Sequence, residues 1–234
     1  MTRVKICGLQ SPADVDIAVR SGADALGFVT EYPVPVPWNL LRSRARELVA
    51  GAPPFVSTAA VVGGAVETIL EIARAVRPNV LQLHGDETLE EIEVICASLA
   101  GTGIKVLKAL RIDAASGQAA FALPDPLEAS MALARAPISG LVLDSKTSSR
   151  PAGTGVPLNW QAAARIASAV RLPVILAGGL TAQNVAEAIA TVRPYGVDVI
   201  SGVESKAGVK EEALARAFVR AAKGVPPGTR GAGE

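Results

Sequence analysis

Short apolar runs alternate with amphipathic stretches from one end of the chain to the other. The apolar runs predict strands at residues 3–7, 24–29, 55–62, 79–83, 104–110, 139–143, 173–177 and 197–200. The stretches after them have helical periodicity and predict helices near residues 12–21, 40–50, 65–76, 88–99, 126–135, 160–169, 182–190 and 209–223. Eight strands, each followed by a helix, favour a (β/α)8 TIM barrel of the α/β class. An open doubly wound sheet is the alternative, although the chain has no GxGxxG motif to support it.

The length of 234 residues fits one large α/β domain better than two. We expect the barrel to occupy residues 1–223 as a single catalytic domain. Residues 224–234 are rich in Gly and Pro, which predicts a disordered tail that carries no function.

Composition and charge narrow the class of protein. Hydrophobic residues make up 50% of the chain and aromatic residues only 3%, so the core has to be largely aliphatic. A net charge of +1 gives no electrostatic reason to bind nucleic acid or an anionic membrane. The start of the chain is not signal-like, and no apolar run reaches the roughly 18 residues of a membrane helix. We therefore expect a cytoplasmic protein, either a monomer or a homodimer, with no nucleic-acid or membrane partner.

Cysteine and histidine usage argues against a metal site. Cys7 and Cys96 fall in different predicted elements without CxxC spacing, which disfavours a disulfide framework or a zinc site. Metal-dependent epimerases on barrel folds need several His and Asp ligands, and the chain has a single histidine. We expect no metal.

Reactive side chains stand where predicted strands end. Cys7 closes the first strand and Asp144 closes the sixth. Parallel α/β barrels locate their chemistry at the carboxyl ends of the strands. A thiol and a carboxylate on two such ends suggest a general base and a general acid that share one substrate. His84, Lys108 and Arg111 follow or end the fourth and fifth strands and are further candidates.

Glycine-rich turns follow the last two strands, as Gly178-Gly179 and Ser201-Gly202. Such turns let backbone N–H groups converge on an anion, and loops 7 and 8 of a TIM barrel frequently hold a phosphate. The expected ligand is a phosphorylated small molecule.

Each of these residues also has an ordinary structural explanation. A cysteine in an apolar element is usually a small buried hydrophobe, as we expect for Cys96. His84 could be a structural hydrogen-bond partner, Asp144 a loop cap, and the glycines simply turn residues. Only the combination of these residues on strand ends favours a functional site.

The motifs together resemble the phosphoribosylanthranilate isomerase family, in order and at family-like spacing from residue 3 to about 222. The matching blocks are residues 5–9, 22–28, 81–87, 143–145, 153–155, 159–160, 176–181, 184–185, 197–199, 201–204 and 208–210. The resemblance implies an Amadori rearrangement of an N-arylated aminoribose phosphate to an aminoketose, as a step of tryptophan biosynthesis that needs no cofactor. It also implies that Asp144 is the general acid, which opens the sugar ring, and that Cys7 is the general base, which takes the proton from sugar C2.

The resemblance assigns further residues to the substrate site. They are Gly178, Gly179, Ser201 and Gly202 for the phosphate, Asp198 elsewhere in the site, and Gly155 in a mobile loop after the sixth strand. From their positions at strand ends, His84 and Arg111 are further candidates for substrate binding. Lys5 lies on the same strand face as Cys7, and we hypothesise that it favours the thiolate.

One loop departs from the family pattern. After the second strand the family usually carries a Ser-Pro-Arg segment whose arginine faces the anthranilate carboxylate. Here residues 29–39 contain three prolines, Tyr32 and Trp38, but no arginine. Either Arg42 or Arg44 substitutes from the next helix, or the loop binds the same ring by stacking; Glu31 would repel a carboxylate if it pointed inward.

Two other functions remain open from the residues alone. One is an isomerase of the same mechanism that acts on another N-substituted aminosugar phosphate. The other is a non-catalytic sensor of a phosphorylated ligand, which would keep the glycine-rich turns but would have no use for Cys7 and Asp144. Indole-glycerol-phosphate synthase chemistry is disfavoured because the Lys and Glu constellation on which it depends is absent from the early strands.

Overall fold

The computed structural model describes residues 1–147 and 156–225. Eight parallel strands close into a barrel in the order β1-β2-β3-β4-β5-β6-β7-β8, with β8 paired to β1. The strands are β1 Arg3–Ile6, β2 Ala25–Val29, β3 Ser57–Val62, β4 Val80–Leu83, β5 Lys105–Asp113, β6 Gly140–Lys146, β7 Val174–Leu176 and β8 Gly196–Val199. The helices are α1 Pro12–Arg20, α2 Arg42–Ala50, α3 Val66–Val76, α4 Leu89–Ser98, α5 Pro126–Leu133, α6 Trp160–Ala169, α7 Val185–Val192 and α8 Glu212–Lys223. The predicted (β/α)8 TIM barrel is confirmed.

Alternate strand positions face the helices and the barrel interior. In β1, Val4 and Ile6 belong to the aliphatic core between barrel and helices. Lys5 faces inward, where its ammonium contacts Gln82 of β4 and Asp198 of β8. The barrel interior is therefore polar where β1, β4 and β8 face it, whereas β5, β6 and β7 contribute a small apolar cluster.

Capping boxes start α1 and α4. The Ser11 hydroxyl accepts from the Asp14 N–H at 3.1 Å, and the Asp14 carboxylate accepts from the Ser11 N–H at 3.0 Å. Thr88 and Glu91 form the same reciprocal pair at α4. Because this motif satisfies free N–H groups in the first turn, both helices start soon after β1 ends at Ile6 and β4 ends at Leu83.

A hairpin replaces the start of the last predicted helix. The helix predicted at residues 209–223 begins at Glu212, so the prediction is wrong for residues 209–211. Val209–Lys210 forms β10, antiparallel to β9 (Glu204–Lys206), after a short 3₁₀ turn at Ser201–Val203. The buried Lys210 ammonium lies 2.8 Å from the Glu204 carboxylate, and this ion pair fixes the hairpin.

Other boundaries differ by a few residues. The fifth strand continues to Asp113, three residues beyond its predicted end, and the seventh helix begins at Val185 rather than at residue 182. The predicted loop at 153–155 and the tail beyond Val225 lie outside the described residues. None of the helices in the described ranges has the length and apolar character needed to cross a bilayer.

Candidate active site

An open cavity lies at the carboxyl end of the barrel. Eight of the residues predicted for the site line it, namely Cys7, His84, Asp144, Gly178, Gly179, Asp198, Ser201 and Gly202. They come from β1, β4, β6, β7 and β8 and the turns that follow these strands. The cavity therefore joins the thiol, the carboxylate and both glycine-rich turns in one space.

Cys7 lies on the cavity wall at the end of β1. It is 1% exposed, and its N–H donates to the Val199 carbonyl at 2.9 Å. A Cβ at Gly27 of β2 would fall on the Cys7 sulfur, so this neighbour has to be glycine. Burial raises the pKa of the Cys7 thiol, while the ammonium groups of Lys5 and Lys210 oppose this effect. Lys5 lowers the pKa of Cys7, in the direction that the hypothesis about the thiolate requires, but the increase caused by burial is larger.

Lys5 lies beneath Cys7 in the barrel interior. Its Nζ donates to Asp198 Oδ2 at 2.6 Å and to Gln82 Oε1 at 2.9 Å. Burial alone would lower its pKa, but the nearby Asp198 carboxylate and Cys7 thiolate together raise the pKa of Lys5 to about 12. Lys5 is therefore a fixed cation at neutral pH, between a carboxylate and the thiol.

Asp144 faces the same cavity from the end of β6. Its Oδ1 accepts from the Ser145 N–H at 2.8 Å, and its Oδ2 lies 3.4 Å from His84 Nε2. Gln82 in turn places its amide nitrogen 3.3 Å from His84 Nδ1. Both carboxylate oxygens thus have a nitrogen nearby, which suits a group that alternates between acid and carboxylate.

The two glycine-rich turns need glycine for steric reasons. Gly178 has φ +83°, and a Cβ there would lie 2.6 Å from the Ser145 hydroxyl. At Gly202 a Cβ would collide with the Leu180 carbonyl oxygen. The turns after β7 and β8 are therefore packed against each other and against β6, so that the bare backbone lines one end of the cavity.

Aromatic side chains from the loop after β2 line the other part of the cavity. Tyr32 and Trp38 are buried there beside Val29, Val36 and Val61. The Tyr32 hydroxyl donates to the His84 carbonyl at 3.0 Å. This part of the cavity is apolar and well suited to the face of an aromatic ring.

The arginines of α2 point away from the cavity. Arg42 donates to both carboxylate oxygens of Glu31, at 3.0 Å from Nε and 2.7 Å from Nη2, and also reaches Glu71 at 2.9 Å. Arg44 pairs with Glu47 at 2.9 Å on the surface. In this structure neither Arg42 nor Arg44 occupies the place of the missing arginine. Glu31 does not face the cavity, because Arg42 holds it at the loop's outer side.

Two further basic candidates do not line the cavity. Arg111 is buried and pairs with Asp86, and Lys108 forms a buried ion pair with Glu87 at 2.6 Å. Lys108 also donates to the Gly85 carbonyl at 2.7 Å, so this pair supports the turn after β4. Gly155 lies outside the described residues.

Sequence reasoning missed Gln82, which lines the cavity floor and is 2% exposed. The sequence does contain a sign of this role, because Gln82 is a polar residue at an inward position of the otherwise apolar strand Val80–Leu83. No group of three or more His, Cys, Asp or Glu side chains that could hold a metal ion occurs within 1–147 and 156–225.

A closed (β/α)8 barrel with a thiol, a carboxylate and two glycine-rich turns around one carboxyl-end cavity defines an enzyme of the TIM-barrel class. The family model described as N-(5'-phosphoribosyl)anthranilate (PRA) isomerase matches residues 4–221. The chain belongs to this family.

Individual relatives cover nearly the whole chain. The N-(5'-phosphoribosyl)anthranilate isomerase of Haloferax volcanii is 42% identical over 225 residues, which are 95% of this chain and 94% of that protein. The crystal structure of phosphoribosyl anthranilate isomerase from Thermotoga maritima has a TM-score of 0.80 at 32% identity and covers 96% of this chain and 100% of its own. Another such structure, in complex with reduced 1-(o-carboxyphenylamino)-1-deoxyribulose 5-phosphate, has a TM-score of 0.77 at 31% identity, with the same coverage of both chains.

Proposed function

We propose that this protein isomerises N-(5'-phosphoribosyl)anthranilate to 1-(2-carboxyphenylamino)-1-deoxyribulose 5-phosphate in tryptophan biosynthesis, with Asp144 as general acid and Cys7 as general base. Membership of the isomerase family and the analogue bound in a similar structure support the reaction. The observation that carries the residue assignment is that Cys7 and Asp144 line one cavity from two different strands.

Asp144 performs the first step. Its carboxylic acid protonates the furanose ring oxygen, the bond between that oxygen and C1 breaks, and the nitrogen lone pair forms the C=N bond of a Schiff base. The carboxylate left on Asp144 is stabilised by the Ser145 N–H at Oδ1. Hydrogen bonds to a charged acceptor of this kind are the stronger ones in proteins.

Cys7 performs the second step. The protonated imine withdraws electrons and acidifies the C2–H bond, so the Cys7 thiolate removes the C2 proton and the electron pair forms the C1=C2 bond of an enolamine. Protonation at C1 and loss of the C2 hydroxyl proton then give the aminoketose. Lys5 supports this step because its ammonium favours the thiolate over the thiol.

The two ends of the cavity orient the substrate. The turns at Gly178 and Gly202 bring backbone close to the cavity, and we assign the phosphate to this end. Tyr32 and Trp38 form the apolar end, to which we assign the aryl ring. In this orientation the ribose lies between Cys7 and Asp144.

The direct test follows the loss of anthranilate fluorescence when purified protein is mixed with freshly made phosphoribosylanthranilate. We expect rapid turnover by the natural protein. Absence of turnover by a folded protein would overturn the proposal. The next measurements would then be turnover of other N-substituted ribosylamine phosphates and binding of phosphorylated ligands without reaction.

A further inference from the structure

A row of buried polar side chains connects the base side of the cavity to the acid side. Asp198 Oδ2 accepts from Lys5 Nζ at 2.6 Å, and Lys5 Nζ also donates to Gln82 Oε1 at 2.9 Å. The Gln82 amide nitrogen lies 3.3 Å from His84 Nδ1, and His84 Nε2 lies 3.4 Å from Asp144 Oδ2. All five side chains are nine-tenths or more buried.

The chemistry of the lysine fixes the direction of this row. An ammonium group can only donate hydrogen bonds, so the atom of Gln82 that faces Lys5 has to be the carbonyl oxygen. The amide NH₂ of Gln82 then faces His84 and donates to Nδ1, which has to be the acceptor. In neutral His84 the hydrogen therefore resides on Nε2, the nitrogen that faces Asp144.

This tautomer matters for the acid. When Asp144 gives up its proton, an Nε2–H group stabilises the new carboxylate at Oδ2, whereas a lone pair on Nε2 would repel it. The separation of 3.4 Å exceeds a standard N–H···O bond, and catalytic hydrogen bonds commonly shorten when substrate binds. On the base side, the Gln82 carbonyl gives Lys5 a second acceptor and holds its ammonium beneath Cys7.

We propose that Gln82 is a positioning residue that sets the tautomer of His84 toward Asp144 and the place of Lys5 beneath Cys7. Gln82 makes no bond to the reacting atoms in this scheme and acts through its two neighbours. The catalytic consequence rests on the proposed function, but the tautomer does not depend on it.

The tautomer can be read directly because His84 is the only histidine of the chain. Two-bond ¹H–¹⁵N correlation spectra of uniformly ¹⁵N-labelled protein, recorded where His84 is neutral, should show the Nε2–H form. In Gln82→Glu the side chain offers only acceptor oxygens to Lys5 and to His84. Nδ1 of His84 must then donate, so His84 should switch to the Nδ1–H form. In Gln82→Met, which has similar volume but makes no hydrogen bond to Nδ1, only Asp144 still favours the Nε2–H form, so the preference should weaken. An Nδ1–H form in the natural protein, or an unchanged pattern in both variants, would overturn the proposal.

Kinetics of the same variants test the consequence for catalysis. General acid–base catalysis typically contributes about 10²–10⁴-fold in rate. For a residue that acts indirectly we expect kcat to fall at least about tenfold in both variants, with KM changed less than about threefold. Gln161→Glu, on the exposed face of α6, is the control for an added charge and should retain normal kcat. A tautomer switch without a loss of kcat would contradict the catalytic role of Gln82. Inactivity of the natural protein would contradict the proposed function, but the tautomer result would still stand.

Discussion

The indole N–H of Trp38 donates a 2.7 Å hydrogen bond to Glu204 Oε1, and this contact joins the loop after β2 to the hairpin after β8. Glu204 is held in turn by the buried Lys210 ammonium at 2.8 Å. The ring also lies against Gly8, where a Cβ would come within 2.8 Å of the indole. The Trp38 indole at the aromatic end of the cavity is therefore held by the hydrogen bond to Glu204 and by packing against Gly8.

Trp38→Phe should weaken substrate binding. The phenyl ring keeps an aromatic face but loses the N–H to Glu204, and a hydrogen bond to a charged partner contributes about 1.5–3 kcal/mol. We expect KM for phosphoribosylanthranilate to rise about tenfold in steady-state assays, with kcat within about threefold. An unchanged KM would show that the contact between the two loops does not shape the ring site.

Cys7→Ala should lose at least about 100-fold in kcat, the usual scale of general acid–base catalysis. The matched control is Cys96→Ala, because Cys96 lies on α4, away from the residues that line the cavity. The fluorescence assay measures both variants. Near-normal turnover by Cys7→Ala would reject Cys7 as the base.

Asp144→Asn should be impaired to a similar extent, since an amide cannot give a proton to the ring oxygen. The side chain keeps its shape, so binding of the reduced product analogue should persist in calorimetric titration. A loss of folding, seen by circular dichroism, would instead make Asp144 a structural residue.

The pH dependence of the reaction should depend on Lys5. The active form of Cys7 is the thiolate, and burial raises the pKa of the thiol, so kcat/KM should rise with pH above the ordinary range of a cysteine. Lys5 opposes this shift, so Lys5→Met should move the rise of kcat/KM to still higher pH.

The ionisation of the Cys7 thiol can also be measured from the pH dependence of its alkylation by iodoacetamide in a Cys96→Ala background. A Cys7 titration that does not change in Lys5→Met would contradict this role.

Arg42→Ala should leave substrate binding almost unchanged. Its guanidinium is bound to Glu31 and Glu71 outside the cavity and does not reach the ring site. We expect KM to stay within about twofold of the natural protein. An increase of tenfold or more at constant kcat would mean that Arg42 turns inward to meet the substrate carboxylate.

The fold could be predicted because strand and helix patterns alternate without interruption. Cys7 and Asp144 could be located because each closes an apolar strand, and the ends of parallel strands converge in a barrel. Both the fold and these two positions can be predicted from one sequence, because the pattern that indicates each lies within a few neighbouring residues.

Features that depend on a specific side-chain partner could not be predicted in this way. The partner that turns Arg42 outward is Glu31 on a preceding loop, and the hairpin at Val209 depends on a buried pair between Lys210 and Glu204. Gln82 contacts Lys5 only because the closed barrel brings β1 and β4 face to face. Local periodicity contains no information about such partners.

The separation of the two cavity ends has an evolutionary consequence. In our assignment the phosphate meets backbone from the turns after β7 and β8, while the ring meets mainly the loop after β2, including the buried side chains of Tyr32 and Trp38. Substitutions in that loop at positions other than Trp38, which also contacts Glu204 and Gly8, can change the preferred amine and leave the turns that hold the sugar phosphate in place. Lineages of this barrel can thus diverge in substrate while inheriting one reaction.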